Sequence, residues 1–452
     1  MIQSLSMASL AQKYGGRLML GDAWVNGLSI DSRTLAEGQL FAALPGENTD
    51  GHDFILAAAK KGAQAALVQR PVDADLVQWV VSDVVEAMGQ VATECRSQFK
   101  GTLFGITGSN GKTTVKEMLA AICGRRGSTL ATRGNLNNHL GVPLMLSELA
   151  AEHRYAVIEM GASAIGEIDC LASIAQPDVA LVTQVGHAHL EGFGSRGGIV
   201  RGKGEIYDHV SAAGRAVINL DSYGHEEFLR RATAQQLTFS ARAGVEADVR
   251  ATDIRIHLQG SSWRLVTPLG ETPIEQRQLG MNNVYNGLAS AAAALAAGFS
   301  LNDIRQGLTQ SAAVAGRLFP RGGLAGCNLL DDSYNANPDS VAAAIDVLAS
   351  CAGRRILVLG DMAELGNDEV VMHRQAGELA RLKGIDCLVT VGDLAAEAAR
   401  AYGDKAKDFD NTGAAAEWLL QEIDANTTLL VKGSRSARME RVVEALTPGE
   451  KA

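Results

Sequence analysis

The chain has no CxxC pair, no long apolar run and no excess of positive charge, and each absence removes a class of function. Its six cysteines, Cys95, Cys123, Cys170, Cys327, Cys351 and Cys387, are scattered over 452 residues. That spacing argues against a disulfide framework or a structural zinc site and fits a reducing compartment. The most apolar stretch, Leu288 to Leu301, is rich in alanine, interrupted by Gly298 and too short to span a bilayer. The opening residues, MIQSLSMASLAQKYGG, lack the basic segment and sustained apolar run of a secretory signal. A formal net charge of −10 gives no general footprint for nucleic acid. The expectations are therefore a cytoplasmic location, no membrane insertion and no nucleic-acid partner. An anionic ligand would have to be met by local cations and backbone N–H donors.

What is present is the balance of a soluble globular protein, with 46% hydrophobic and 20% charged residues. The length implies about three domains. Residues 1–100 mix short apolar runs with Gly-rich turns, as in LFAALPGENTDGHDFI, and show no long regular βα series. From Gly101 the runs LFGIT, YAVIEM and DVALVT have strand length and are separated by helical patterns, the signature of a parallel sheet with crossover helices. Between Asp248 and Gln278 the pattern alternates and predicts an antiparallel extension of that sheet, followed by a helix-rich stretch over 283–309. Near Ala315 a third unit begins. Its strands at CNLLDD, RILVLG, DCLVTV and TTLLVKG alternate with helices over 337–350 and 412–424. The fold class is α/β in three domains: 1–100, a small α/β unit; 101–314, a central P-loop parallel-sheet unit with an antiparallel extension; and 315–452, a Rossmann-like unit.

The segment LFGITGSNGKTTVKEMLAAI carries the most chemistry. An apolar strand enters a Gly-rich turn, and a Lys-Thr pair then opens an amphipathic helix. Backbone N–H groups in such a loop, with the positive helix N-terminus behind them, cradle phosphates. Lys112 is expected to reach the β- and γ-phosphates and the Thr113 hydroxyl to ligate Mg²⁺. Gly108 and Gly111 permit close backbone approach and unusual φ. The strict G-x₄-G-K-[ST] template is not met, because Ile106 stands at its first glycine position.

The spelling TGSNGKTT resembles the phosphate loop of the Mur ligase family, and the resemblance extends through nearly the whole chain. It implies ATP as substrate, with Gly108, Ser109, Asn110, Gly111, Lys112, Thr113 and Thr114 around its phosphates. Two Mg²⁺ ions are implied, held by Thr113, by Glu159 at the end of YAVIEM and by His187 in VTQVGHAHLEG, preferred to His189 on the family match. Lys203, as plain sequence a surface lysine, matches a family position where several members carry an N-carboxylated lysine. Asn283 and Asn286 in QLGMNNVYNGL match an adenine-contacting segment, where Asn282 departs from the His more common in this branch. Arg317 is expected near the γ-phosphate and Asp332 near the ribose, and VKGSRSARME, with Lys432, matches a segment that closes on the site. Catalytic roles are implied for Lys112, Glu159, His187, Lys203 and Arg317.

Two further segments point to a branch. SYNANP resembles the members that add D-alanyl-D-alanine, and DSRTLAEGQLFAALPGENTDGHDF resembles a UDP-binding domain, with Ser32 and Arg33 as pyrophosphate or uridine contacts. GNLNNHLGVP, with Asn137 and Asn138, looks like the muramoyl-peptide side. The implied partners are UDP-N-acetylmuramoyl-tripeptide and D-alanyl-D-alanine, acted on by a monomer in peptidoglycan precursor synthesis. Competing possibilities are a ligase adding the third residue, a folylpolyglutamate synthetase, and a P-loop regulator without ligase activity. The last would explain the loop but not Glu159, His187 and Arg317 together.

Overall fold

A computed structural model describes residues 1–46, 49–257 and 259–448. Glu47 and Asn48 of the quoted UDP-binding segment, Leu258 of the alternating stretch and residues 449–452 lie outside the described residues.

The first sheet runs Leu28–Ser29, Leu40–Ala42, Ala65–Val68, Val77–Val80, Arg17–Met19. Its first four strands are parallel and the last is antiparallel. A parallel βα unit therefore exists here that the sequence pattern did not show, because strands of two to four residues carry no readable period. Helix Val84–Gln98 begins where the Asp83 carboxylate accepts the N–H groups of Val85 and Glu86. Such a cap meets helix donors that have no partner within the helix. Its face Met88, Val91 and Cys95 joins Leu10, Leu40 and Trp79 in one apolar cluster that also takes in Leu144 of the next unit.

The central sheet has nine strands, from Gly270–Gln276 at one edge through Gly260–Thr267, Val249–His257, Gln235–Ser240, Arg215–Asn219, Val179–Val182, Thr102–Thr107 and His153–Glu159 to Ser128–Ala131. The antiparallel extension is present: Val249–His257, Gly260–Thr267 and Gly270–Gln276 pair antiparallel, and the first continues the parallel part. Successive residues of LFGIT face opposite sides, Leu103 in one core cluster and Phe104 and Ile106 in the other. Apolar layers on both faces make a continuous apolar run the right spelling for a buried parallel strand. Strand Thr102–Thr107 lies between Val179–Val182 and His153–Glu159, and the chain winds away from it on both sides. Its carboxyl end is thus where an open α/β sheet gathers ligands. The helix-rich stretch is two helices, Met281–Ala296 and Leu301–Gln310, separated where Ser300 opens the second with a capping box to Asp303.

The third sheet orders Phe319–Gly322, Asn328–Asp332, Thr427–Lys432, Arg354–Gly360, Cys387–Val391 and Ala406–Phe409. All neighbours are parallel except the first pair. Helices Pro338–Ala349 and Thr412–Glu422 fall where the sequence places them. The register sets Asp332 directly beside Lys432 at two strand ends.

Candidate active site

At the end of strand Thr102–Thr107 the chain turns through Gly108 and Gly111, with φ of +144° and +85°. A Cβ on Gly108 would lie 2.0 Å from Thr183 Oγ1, and one on Gly111 would lie 2.3 Å from Asn286 Oδ1. Only glycine fits either place. The loop is stitched to the next strand end: the Ser109 N–H donates to the Gln184 carbonyl at 2.8 Å and the Thr183 hydroxyl to the Asn110 carbonyl at 2.6 Å. Helix Lys112–Cys123 then starts with Lys112 folded back, its Nζ 2.7 Å from the Gly108 carbonyl. Burial lowers the pKa of this amine; nearby Glu159 opposes that shift and Arg317 adds to it.

Glu159 is 2% exposed at the next strand end. Its Oε1 accepts from Asn137 Nδ2 at 2.8 Å, while Oε2 is buried without a hydrogen-bond partner. Its own N–H donates to the Thr132 hydroxyl at 2.9 Å. Asn138 Oδ1 accepts the Gly141 N–H at 2.9 Å, fixing the turn that carries both asparagines. On helix Met281–Ala296, Asn283 donates to the Leu279 carbonyl at 2.8 Å and accepts from Asn286 at 2.9 Å.

The third unit closes over this loop. Arg317 donates to Thr113 Oγ1 at 3.2 Å and lies over the Tyr334 ring at 4.5 Å. Asn337 and Asn110 exchange side-chain amide hydrogen bonds of 2.7 and 3.4 Å. Asp332 and Lys432 form a buried ion pair of 2.6 Å, and Asp332 Oδ1 also accepts the Leu318 N–H. Burial raises the Asp332 pKa, and Lys432 opposes that shift.

Together these residues bound a cleft of about 360 Å³. It brings together Ser109 to Thr114, Asn137, Asn138, Glu159, Asn282, Asn283, Asn286, Arg317, Asp332 and Lys432. Five expected residues, Gly108, His187, Lys203, Ser32 and Arg33, stand apart from its lining. His187 turns to Asp339, Nδ1 lying 3.0 and 3.1 Å from the two carboxylate oxygens, whereas His189 lines the cleft and pairs with Glu364. Ser32 and Arg33 lie in the first unit, where Arg33 forks onto Asp31 at 2.9 and 2.8 Å and draws that carboxyl down to about 2.

Lys203 differs from its plain-sequence expectation: it is 0% exposed, not a surface residue. Its Nζ donates to the Ala162 carbonyl at 2.8 Å. Burial, with the charge of Lys112, pushes its pKa well below that of an ordinary lysine, against Glu167 and Glu205. Sequence reasoning missed Thr183, Asn337 and Asp339. The first could have been found from its place at the end of DVALVT, and the other two from their place around the proline that opens a helix.

A glycine-rich phosphate loop at the centre of a parallel sheet, capped by a second doubly wound unit, defines a P-loop nucleotide-binding protein. Family models match residues 25–98 (Mur ligase family, catalytic domain), 106–294 (Mur ligase middle domain) and 316–435 (Mur ligase, glutamate ligase domain). The chain is 41% identical over 444 residues to the UDP-N-acetylmuramoyl-tripeptide–D-alanyl-D-alanine ligase of Escherichia coli, covering 98% of each chain. It is 34% identical to the ligase of the same name from Bacillus subtilis, covering 93% of each. A crystal structure of MurF from Acinetobacter baumannii superposes with a TM-score of 0.91 at 38% identity, covering 98% of each chain. The chain belongs to the Mur ligase family. A folylpolyglutamate synthase of Mycobacterium tuberculosis, at 17% identity and a TM-score of 0.66, shares the fold alone.

Proposed function

We propose that the chain is the ADP-forming ligase that joins D-alanyl-D-alanine to UDP-N-acetylmuramoyl-tripeptide, giving the pentapeptide precursor of peptidoglycan. Identity of 41% across 98% of both chains to a ligase of that name carries the proposal. The folate and third-residue alternatives have only fold-level likeness, at 17% and 18% identity. Residues 1–100 would hold the UDP end through Ser32 and Arg33, 101–314 the ATP, and 315–452 would close over both. Among the described residues no helix is long and apolar enough to cross a membrane. A monomer in the cytoplasm is the expected working form.

A carboxylate does not become an amide unaided, because its oxygen is a poor leaving group. The terminal carboxylate oxygen of the tripeptide attacks the γ-phosphorus of ATP, the bond to the bridging oxygen breaks, and ADP leaves. The acyl phosphate so formed is attacked at its carbonyl carbon by the neutral amine of the dipeptide. The tetrahedral intermediate expels phosphate, and the amine gives up a proton. Lys112 and Arg317 would offset charge on the transferring group, and Asn137 would hold Glu159. Asn283 and Asn286 would take the adenine side, and Asp332 the ribose.

Glu159 Oε2, buried and without a partner, fits a hard cation, as does the Thr113 hydroxyl. Mg²⁺ bound there with the nucleotide would neutralise phosphate charge. Among the described residues no cluster of three or more His, Cys, Asp or Glu side chains could hold a metal, so further ligands would be phosphate oxygens or water. His187 is proposed at a second ion.

Lys203 suits N-carboxylation because burial lowers its pKa and so favours the neutral amine, the form that attacks CO₂. The resulting carbamate N–H can keep its bond to the Ala162 carbonyl. K203A should lose most activity, and added short carboxylic acids should partly restore it; wild-type turnover in K203A would reject the carbamate. The function itself is tested by phosphate release with product mass spectrometry. Release should require both UDP-muramoyl-tripeptide and D-alanyl-D-alanine, and release with either one alone would overturn the assignment.

A further inference from the structure

The helix that opens at Pro338 touches the central unit at two places in its first turn. Asn337, its N-cap, accepts the Ser340 N–H at 3.0 Å and reaches Asn110 of the phosphate loop. Asp339, two residues on, reaches the loop after strand Val179–Val182. One of its oxygens accepts the His187 main-chain N–H at 2.7 Å, and both lie within 3.1 Å of His187 Nδ1. The approach is close enough to exclude a side chain beside it: a Cβ on Gly186 would lie 2.3 Å from Asp339 Oδ2. Hydrogen bonds to both the main chain and the ring of His187 hold it more firmly than one would.

We infer that Asp339 is a positioning residue that the third unit delivers to His187, fixing both its backbone and its ring tautomer. An ionised carboxylate only accepts hydrogen bonds, so a ring nitrogen facing two carboxylate oxygens carries the proton. Nδ1 is therefore the donor, and Nε2 keeps the lone pair needed to accept a proton or bind a cation. A carboxylate behind an imidazole is the general means by which proteins set that choice. Here the carboxylate comes from a different unit than the histidine, so the tautomer is set only while the two units are docked. Whether His187 acts in the chemistry rests on the proposed function; how its ring is held does not.

The test compares wild type with D339A and D339N by two readouts. The first is the ¹⁵N spectrum of the imidazoles, with His187 assigned by its loss in H187Q. Wild type should show His187 protonated on Nδ1, and D339A should shift it toward the Nε2-protonated form. D339N retains an acceptor for the main-chain N–H but offers the ring an amide, so it keeps the fold while mixing the tautomers. The second readout is steady-state kinetics, where kcat should fall about 10- to 100-fold, as for loss of a group that orients a working histidine. KM for ATP should stay within about twofold, because an orienting group adds little to uniform binding. An unchanged His187 tautomer in both variants overturns the inference, as does wild-type kcat in both. Failure of the ligase assignment would appear separately, as absence of turnover in the wild type with the ¹⁵N shift intact.

Discussion

Two buried carboxylates end parallel strands on opposite sides of the cleft, and their surroundings differ. Asp332, in the third unit, meets Lys432 at 2.6 Å across the register of two adjacent strands. Glu159, in the central unit, satisfies one oxygen with Asn137 and leaves the other buried without a partner. The nearby amine of Lys112 donates to a backbone carbonyl instead. A buried carboxylate without full compensation is costly, and persists where a ligand completes it. One acid is thus closed upon its own chain, and the other is held open.

The largest effect should come from the open side. K112A removes the cation that folds over the phosphate loop, and turnover should fall at least about 10³-fold, or ~4 kcal/mol of transition-state stabilisation. Thermal unfolding should show the variant still folded, since Lys112 anchors only the loop it covers. Near-wild-type kcat in a folded K112A would remove the distinction between the two sides.

The closed side should show its effect in stability. K432M leaves Asp332 buried and unpaired, which should cost about 3–5 kcal/mol in denaturant unfolding at neutral pH. The sign with pH follows from protonation. Burial already holds the folded pKa of Asp332 above its unfolded value, and loss of Lys432 raises it further. The folded variant therefore binds more protons, and its stability rises as pH falls. The deficit should therefore shrink on acidification and be fully present at neutral pH. A deficit independent of pH would mean that lost packing, not the unpaired charge, sets the cost.

E159Q sharpens the contrast by separating activity from stability. It removes a buried charge with one unsatisfied oxygen, so the melting temperature should be no lower than wild type. Activity should fall about 10²–10³-fold, the range for losing one preorganised electrostatic group. Equal losses of stability in E159Q and K432M would show that both acids serve the fold.

The open side was readable in the sequence because its chemistry is written locally. Gly108 and Gly111 are forced by contacts with Thr183 and Asn286, and strand, turn and helix follow one another without interruption. The buried parallel strands were legible for the same reason, as continuous apolar runs. Strand Ala406–Phe409 was not, because it forms a sheet edge with Lys407 and Asp408 exposed. Burial of Lys203 had no local signal: it sits in RGGIVRGKG, where glycines leave the helix without an apolar stripe. The Asp339–His187 pair spans 152 residues, and no spacing rule joins two units at that distance.

The smallest effect is expected at Asn282, on the same open side but away from the charge. It lies half-buried in the first turn of helix Met281–Ala296 and lines the cleft beside Asn283 and Asn286. Those two neighbours are tied to each other and to the Leu279 carbonyl, so the turn keeps its shape without Asn282. Where the resemblance leads one to expect His, Asn offers a donor and an acceptor but no aromatic face. A lost stacking surface costs at most about 1–3 kcal/mol by analogy with base–aromatic stacking, and less at a solvated edge. N282A should therefore raise KM for ATP several-fold and leave kcat nearly unchanged, because contacts to the base are equal in ground and transition states. N282H should be active, with equal or tighter ATP binding. Steady-state kinetics at saturating tripeptide and dipeptide make the measurement. A large fall in kcat for N282A at unchanged KM would show that this turn serves the chemistry and not the base, and the open side would then extend to the end of the cleft proposed for the adenine.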